Sequence, residues 1–124
     1  MSKILLVEDD KILQKMYQDK FGTTEYELVV ASDGEEGIAK ALEAKPDFIL
    51  LDLMMPKLSG IQVLKMLKTH SETRHIPVAV FSVFPQDDPM LEGSAETLKD
   101  IVGYYRKDES SPSQIVEKIQ EYLK

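Results

Sequence analysis

The sequence predicts an α/β protein built on a doubly wound, five-stranded parallel sheet with helices on both faces. Five short apolar runs alternate with segments whose apolar residues recur at helical spacing. This alternation is typical of a parallel sheet, because each parallel connection needs a crossover that is usually a helix. The length of 124 residues predicts one domain over residues 1–124.

The predicted strands are apolar runs bounded by acidic, turn or proline residues. They span Ile4–Val7, Tyr26–Ala31, Phe48–Leu51, Pro77–Phe81 and Ile101–Arg106. The third run is apolar at every position, which is typical of a strand buried on both faces. A single carboxylate, Asp52, follows it directly.

The first three helices are predicted from apolar residues on one face and from the polar residues that flank them. Asp9 or Asp10 can cap the first helix, and Gly22 can end it. The second helix is predicted over Glu35–Ala44. The third follows Ser59, which is a possible N-cap.

The fourth and fifth helices differ in the strength of their patterns. The DDP sequence at 87–89 is typical of a cap followed by proline in the first turn. The body that follows, Met90–Lys99, contains Gly93 and few large apolar residues, so we expect residues 84–100 to depart from a regular helix. The last helix is predicted to start at Pro112 or Ser113, because the apolar residues after it share one face.

The composition excludes several classes of function. A net charge of −7 argues against nucleic-acid binding through the overall field. The absence of cysteine excludes disulfides, thiolate metal sites and a cysteine nucleophile, and it suits a reducing compartment. No apolar segment is long enough to span a bilayer, and the N-terminal run leads straight into acids, unlike a signal peptide. We therefore expect a cytoplasmic protein that binds neither nucleic acid nor membrane.

Polar residues follow four of the five predicted strands. Glu8 and Asp9 follow the first, Asp52 the third, Ser82 the fourth and Lys107 the fifth. Ligands of open α/β sheets bind at the carboxyl ends of the strands, so these side chains are expected to meet. Clustered carboxylates repel unless a cation neutralises them, and oxygen-only ligands favour Mg²⁺ over Zn²⁺. With the lysine and serine, they are the parts needed to stabilise a phosphoryl group in transfer, with Asp52 as the nucleophile.

Taken singly, each of these residues has a simpler interpretation. A lone acid after a strand is usually a helix cap, and an acidic pair can be solvated caps of the next helix. A strand-end serine or lysine is usually an ordinary surface residue. Their joint placement at four strand ends favours a shared site.

The sequence resembles the receiver domains of two-component response regulators over nearly its full length. The motifs that carry the resemblance are ILLVEDD at 4–10, ILLDLMMPKLSG at 49–60, IPVAVFS at 76–82 and YYRK at 104–107. The resemblance implies a single-domain, flavodoxin-like fold with the strand order 2-1-3-4-5 of chemotaxis receivers.

The resemblance implies that Asp52 accepts a phosphoryl group from a histidine kinase or a histidine phosphotransfer protein. It also implies that Mg²⁺ is held by Glu8, Asp9, Asp52 and the backbone carbonyl of Met54. The domain would then be a phospho-acceptor and not an enzyme acting on other substrates. It would catalyse its own phosphotransfer and slow autodephosphorylation.

The resemblance assigns further roles at the other strand ends. Ser82 and Lys107 would contact the phosphoryl group, and Tyr104 would act with Ser82 as a conformational switch. The alternative is that Tyr104 is an ordinary aromatic on an edge strand, and the switch role is only slightly favoured over it. A downstream protein would bind the face formed by the fourth helix, the fifth strand and the fifth helix.

Two features depart from the family pattern. Lys107 is followed by Asp108 where proline, often cis, is usual, so a trans bond or a strained cis bond is expected. Val83 is larger than the residue usual after Ser82. The missing proline and the irregular fourth helix favour an alternative, a pseudo-receiver that binds proteins without being phosphorylated, whereas the three acids with Ser82 and Lys107 disfavour it.

Two further classes fit less well. A phosphohydrolase with an aspartate nucleophile commonly carries a second acid two residues on, where this chain has Met54. A flavin carrier needs a phosphate cradle after the first strand, where this chain has acids that would repel phosphate.

Overall fold

Five parallel strands form one sheet in the computed structural model, which describes residues 2–55 and 58–124. The strands are β1 (Lys3–Val7), β2 (Glu27–Ala31), β3 (Phe48–Asp52), β4 (Val78–Ser82) and β5 (Gly103–Arg106). Their order in the sheet is β2-β1-β3-β4-β5, and every neighbouring pair is parallel. The predicted fold class and strand order are therefore confirmed. Pro56 and Lys57, which belong to the 49–60 motif, lie outside the described residues.

Helices connect the strands and cover both faces of the sheet. They are α1 (Lys11–Phe21), α2 (Gly34–Ala44), α3 (Gly60–Thr69), α4 (Ala95–Leu98) and α5 (Pro112–Leu123). The N-cap of α1 is Asp10, whose side chain accepts hydrogen bonds from two backbone N–H groups, and not Asp9. Ser59 caps α3 in a capping box, as does Ser111 for α5. None of the helices in the described part of the chain has the length and apolar character needed to cross a membrane.

The core consists of two apolar layers, one on each face of the sheet. All residues of β3 and β4 are buried, as expected for central strands of a doubly wound sheet. On one face α1 and α5 pack against the sheet, mainly through Tyr17, Phe21, Ile115, Val116 and Ile119. On the other face α2, α3 and α4 do so, mainly through Ala41, Val63, Leu64, Leu67 and Leu98.

The connection between β4 and β5 contains much less helix than the other connections. A 3₁₀ turn, Pro89–Leu91, is capped by Asp88, and α4 is only four residues long. Gly93 lies between them with φ of +84°, a conformation that side-chain-bearing residues rarely adopt. The expectation that residues 84–100 depart from a regular helix is confirmed.

Several predicted boundaries were wrong by one or two residues. β4 begins at Val78 and not at Pro77, and β5 begins at Gly103 and not at Ile101. The N–H of Ile101 bonds to the carbonyl of Leu98, so this residue belongs to the turn after α4. The start of α5 at Pro112 agrees with the first of the two predicted positions.

Candidate functional site

The ends of β1, β3 and β5 direct three charged side chains to the same face of the sheet. Side chains alternate between the faces of a strand, so residues two apart point the same way. Glu8, Asp52 and Lys107 each lie two residues after a side chain that packs against α1 or α5, namely Leu6, Leu50 and Tyr105. The strand pattern alone therefore accounts for their meeting at this edge.

Lys107 joins the two buried acids. Its Nζ lies 2.8 Å from Glu8 Oε1 and 3.1 Å from Asp52 Oδ2. The side chain of Glu8 is fully buried, whereas that of Lys107 is 19% exposed. The remaining carboxylate oxygens accept backbone N–H groups, Asp52 Oδ1 from Met54 at 3.0 Å and Glu8 Oε2 from Asp10 at 2.9 Å. The four oxygen atoms of the two acids are thus all hydrogen-bonded.

Burial controls the protonation of this cluster. It raises the pKa of Glu8 to about 7, although the hydrogen bond from Lys107 opposes the rise. It also raises the pKa of Asp52, against the hydrogen bond from Met54 and the charge of Lys107. Burial of Lys107 disfavours its charge, but the hydrogen bond with Glu8 and the charge of Asp52 outweigh this and raise its pKa. Lys107 is therefore charged throughout the range in which Glu8 titrates.

Asp9 adds a third carboxylate to this edge. Glu8, Asp9 and Asp52 each offer an oxygen atom, and these atoms all lie within 4.8 Å of one another. A set of oxygen ligands without sulfur or imidazole suits a hard cation such as Mg²⁺, which keeps several waters and needs few protein ligands. The residues present therefore fit a divalent metal. Met54 lies at the same edge with its side chain partly exposed, and the role of its carbonyl stays a prediction.

Ser82 lies at the end of β4, but its hydroxyl is hydrogen-bonded to the backbone and not to the charged side chains. Its hydroxyl accepts the N–H of Phe84 at 3.1 Å, and its carbonyl accepts the N–H of Lys107 at 2.8 Å. Within the described part of the chain it makes no side-chain hydrogen bond to Asp52 or Lys107. The structure thus brings Ser82 to the site edge without joining its hydroxyl to the charged cluster.

Tyr104 shares a partner with Ser82. Its hydroxyl donates to the carbonyl of Phe84 at 2.8 Å, and its ring is only partly buried. Burial raises the pKa of Tyr104, so the hydroxyl stays protonated and can donate. The backbone of Phe84 is therefore held at its N–H by Ser82 and at its carbonyl by Tyr104.

The bond between Lys107 and Asp108 is trans, since no cis peptide bond occurs among the described residues. Of the two forms expected, the trans form is present. The Asp108 carboxylate is bound by Arg106, with Nε at 3.1 Å and Nη2 at 2.6 Å. Its charge is therefore partly neutralised beside Lys107.

Two residues at this edge were not singled out from the sequence. Gln14 is buried on α1, and its Nε2 donates to the carbonyl of Glu8 at 2.6 Å and to Ser32 Oγ at 3.0 Å. A Cβ at Gly60 would lie 2.3 Å from the carbonyl oxygen of Asp52, so only glycine allows α3 to start this close to β3. The sequence gives a signal for the close approach at Gly60, namely a glycine directly after a capping serine. It gives no signal for the hydrogen bonds of Gln14.

Comparison with known proteins identifies the family. The family model for the response regulator receiver domain matches residues 4–120. This chain belongs to the response regulator receiver domain family. The predicted resemblance is therefore confirmed over nearly the whole chain.

Relatives of this receiver domain include whole proteins of similar length. It is 33% identical over 123 residues to the polar-differentiation response regulator DivK of Brucella anthropi, covering 97% of this chain and 94% of the relative. The chemotaxis protein CheY4 of Vibrio cholerae superposes with a TM-score of 0.83 at 25% identity, over 98% of both chains. The Mn²⁺-bound form of response regulator Rcp1 gives a TM-score of 0.77 at 27% identity, over 99% of this chain and 94% of that one.

Proposed function

We propose that this receiver domain accepts a phosphoryl group on Asp52 in the presence of Mg²⁺ and thereby changes its binding to a partner protein. The observation that carries the proposal is the cluster at the strand ends. Oxygen atoms of Glu8, Asp9 and Asp52 lie within 4.8 Å of one another, and Lys107 Nζ lies 3.1 Å from Asp52 Oδ2. These are the charges that a phosphoryl-transfer site requires.

The ligands of the ion would be Glu8, Asp9, Asp52 and the carbonyl of Met54. When bound, Mg²⁺ supplies positive charge that offsets the carboxylates and the oxygens of the incoming phosphoryl group. A divalent ion is known in one relative, the Mn²⁺-bound form of Rcp1. The protein's own contribution is to hold these oxygens in place through strand ends, N–H groups and burial.

The phosphoryl donor would be a phosphohistidine of a histidine kinase or a histidine phosphotransfer protein. A carboxylate oxygen of Asp52 forms a bond to phosphorus as the phosphorus–nitrogen bond breaks, and the leaving imidazole takes a proton from solvent. Lys107, held charged by its acidic neighbours, donates a hydrogen bond to a phosphoryl oxygen. The product is an aspartyl phosphate that is lost slowly by hydrolysis.

The signal would leave the site through the backbone of Phe84. A phosphoryl group on Asp52 would accept the Ser82 O–H, and rotation of the Ser82 side chain toward it would move the hydroxyl oxygen away from the Phe84 N–H that it now accepts. Release of that N–H changes the segment to which Tyr104 is also bonded. The face formed by α4, β5 and α5 adjoins this segment, and we place the downstream partner there.

Labelling with acetyl phosphate tests the proposal. Wild-type protein with Mg²⁺ should acquire acid-labile phosphate, and Asp52→Asn should acquire none. Asp19→Asn is the matched control, because Asp19 is an exposed acid paired with Lys15 on α1 and should label like wild type. Labelling that persists in Asp52→Asn would place the acceptor elsewhere.

A second candidate is a pseudo-receiver that binds proteins without being phosphorylated. The four-residue α4 favours it, because that helix belongs to the proposed output face. The complete set of acids with Lys107 disfavours it. The two are separated by adding Mg²⁺ and acetyl phosphate to the wild type, since a pseudo-receiver would take up no label.

A further inference from the structure

Lys107 has to cross a strand to reach the acids. β4 lies between β5, which ends just before Lys107, and β3, which ends in Asp52. Neighbouring strands are about 4.8 Å apart, so the side chain spans roughly two strand spacings to Asp52. Its stem and ammonium must therefore pass over a side chain of β4.

The β4 residue beneath this path is Phe81. The strand register pairs Phe81 with Asp52 on one side and with Tyr105 on the other. Paired residues on neighbouring parallel strands point to the same face, so the Phe81 ring lies on the face that carries the charged cluster. Lys107 Nζ is 4.7 Å from the centroid of this ring.

The ring is itself held in place. Phe81 is buried, and Tyr17 from α1 packs against it nearly at right angles, with the ring centroids 5.9 Å apart and an interplanar angle of 77°. The face of a benzene ring carries negative charge density and attracts an ammonium, most strongly where water is excluded. A branched aliphatic residue would fill the same space in the core without providing this attraction.

We propose that Phe81 is a positioning residue whose ring face seats the Lys107 ammonium where it contacts Asp52. Glu8, at 2.8 Å, holds the ammonium more closely than Asp52, at 3.1 Å. The ring, on the strand next to Asp52, draws the ammonium back toward β3. The effect of Phe81 on phosphoryl transfer rests on the proposed function. The contact between the Phe81 ring face and the Lys107 ammonium, which we call the Lys107 seat, rests only on these distances.

Ring fluorination tests the seat without changing the packing greatly. Phenylalanine analogues with one, two or three ring fluorines would be introduced at position 81 alone, since each fluorine withdraws charge from the ring face. The initial rate of labelling by acetyl phosphate at saturating Mg²⁺ should fall stepwise, by about fivefold at three fluorines. The Mg²⁺ affinity should stay within about twofold, because Phe81 supplies none of the proposed metal ligands.

The matched control is Phe48. It is equally buried on the same face, but it lies at the start of β3 and packs against Tyr122, with ring centroids 5.6 Å apart. The same series at position 48 should leave the labelling rate unchanged. A flat series at position 81, or an equal fall at both positions, would overturn the proposal, because volume and stability would then explain the effect.

A second measurement needs no phosphoryl transfer. Protons on the Cε of Lys107 should be shifted upfield in the NMR spectrum by the ring beneath them. The shift should vanish in Phe81→Leu and persist in Phe48→Leu. A ring-dependent shift in a protein that takes up no phosphate would uphold the seat and refute the proposed function. An unshifted Lys107 in wild type would refute the seat whatever the labelling shows.

Discussion

Replacing Lys107 with methionine removes the ammonium that joins Glu8 and Asp52 while keeping an unbranched stem of similar size. The two carboxylates then stay buried with only backbone N–H donors. Removing one partner of a buried ion pair costs roughly 3–5 kcal/mol, because the other charge is left uncompensated. Since the Lys107 side chain is 19% exposed, we expect the lower end of that range, about 3 kcal/mol, when both acids are ionised.

The loss should depend on pH in a defined direction. Without Lys107, the pKa of Glu8 in the folded protein rises further above about 7, while its value in the unfolded chain is unchanged. Below about 7 this carboxyl is protonated in both folded proteins, so Glu8 adds no difference between them. Above that pH, Glu8 of the wild type ionises beside the charged Lys107. In the variant the same buried carboxylate has no ammonium partner, so the folded protein is destabilised by the full amount. The destabilisation should therefore grow from about 1 kcal/mol near pH 5.5 to about 3 kcal/mol near pH 8.5.

Urea unfolding followed by circular dichroism, with a chelator present, measures the difference at the two pH values. Lys15→Met is the control, because Lys15 pairs with Asp19 on the exposed side of α1 and its loss should cost less than about 1 kcal/mol at either pH. Adding Mg²⁺ near pH 8.5 should restore stability to the Lys107 variant. A loss that is equal at both pH values, or larger in acid, would refute the assignment of the penalty to buried carboxylates.

Two further predictions concern residues around Asp52. Gly60→Ala should lower the free energy of unfolding by about 3 kcal/mol or more, since its Cβ would lie 2.3 Å from the Asp52 carbonyl oxygen, whereas Gly22→Ala should be tolerated better in the same urea titration. A small effect at Gly60 would mean that α3 can move away from β3. Val83→Ala should shorten the lifetime of the aspartyl phosphate, because we expect the exposed side chains of Val83 and Met54 to flank the path by which a hydrolytic water reaches it. The decay of label after removal of acetyl phosphate measures this, and an unchanged lifetime would exclude Val83 as a barrier.

The location of the site was predictable because it depends on strand ends and side-chain alternation. Asp52 follows a run of four apolar residues, and this run predicts a buried central strand whatever the details of packing. Once the strands are parallel, their carboxyl ends share an edge, so Glu8 and Lys107 must approach Asp52. The contact between Glu8 and Lys107 joins residues 99 positions apart in the chain, which the strand order brings to the same edge of the sheet.

The individual partners could not be predicted in the same way. Ser82 was expected to face the phosphoryl group, but it follows Val80, a residue packed on the opposite face, and its hydroxyl bonds to Phe84. The seat of Lys107 on Phe81 depends on the register between β4 and β5, which the sequence does not reveal. Local patterns specify elements, whereas these contacts depend on how neighbouring elements are aligned.

The connection at 84–100 shows the same limit. Gly93 and the scarcity of apolar residues predicted an irregular helix, but not where the helix would break. In the structure Leu91 and Leu98 are both buried against the sheet, one from the 3₁₀ turn and one from α4. The position of each piece is therefore determined by where its leucine reaches the core, a tertiary constraint that local propensity does not contain.

The net negative charge of the cluster both destabilises the metal-free protein and attracts a divalent ion. Three carboxylates and one ammonium, those of Glu8, Asp9, Asp52 and Lys107, leave a formal charge of minus two when all are ionised. A single divalent cation brings that charge to zero, whereas protonation of Glu8 near pH 7 removes only half of it. Without Lys107 the excess becomes minus three, so the metal-free protein is less stable and its attraction for Mg²⁺ is greater. Stabilisation by Mg²⁺ should therefore be larger in Lys107→Met than in wild type, although the variant has lost the ammonium that would donate hydrogen bonds to the phosphoryl oxygens.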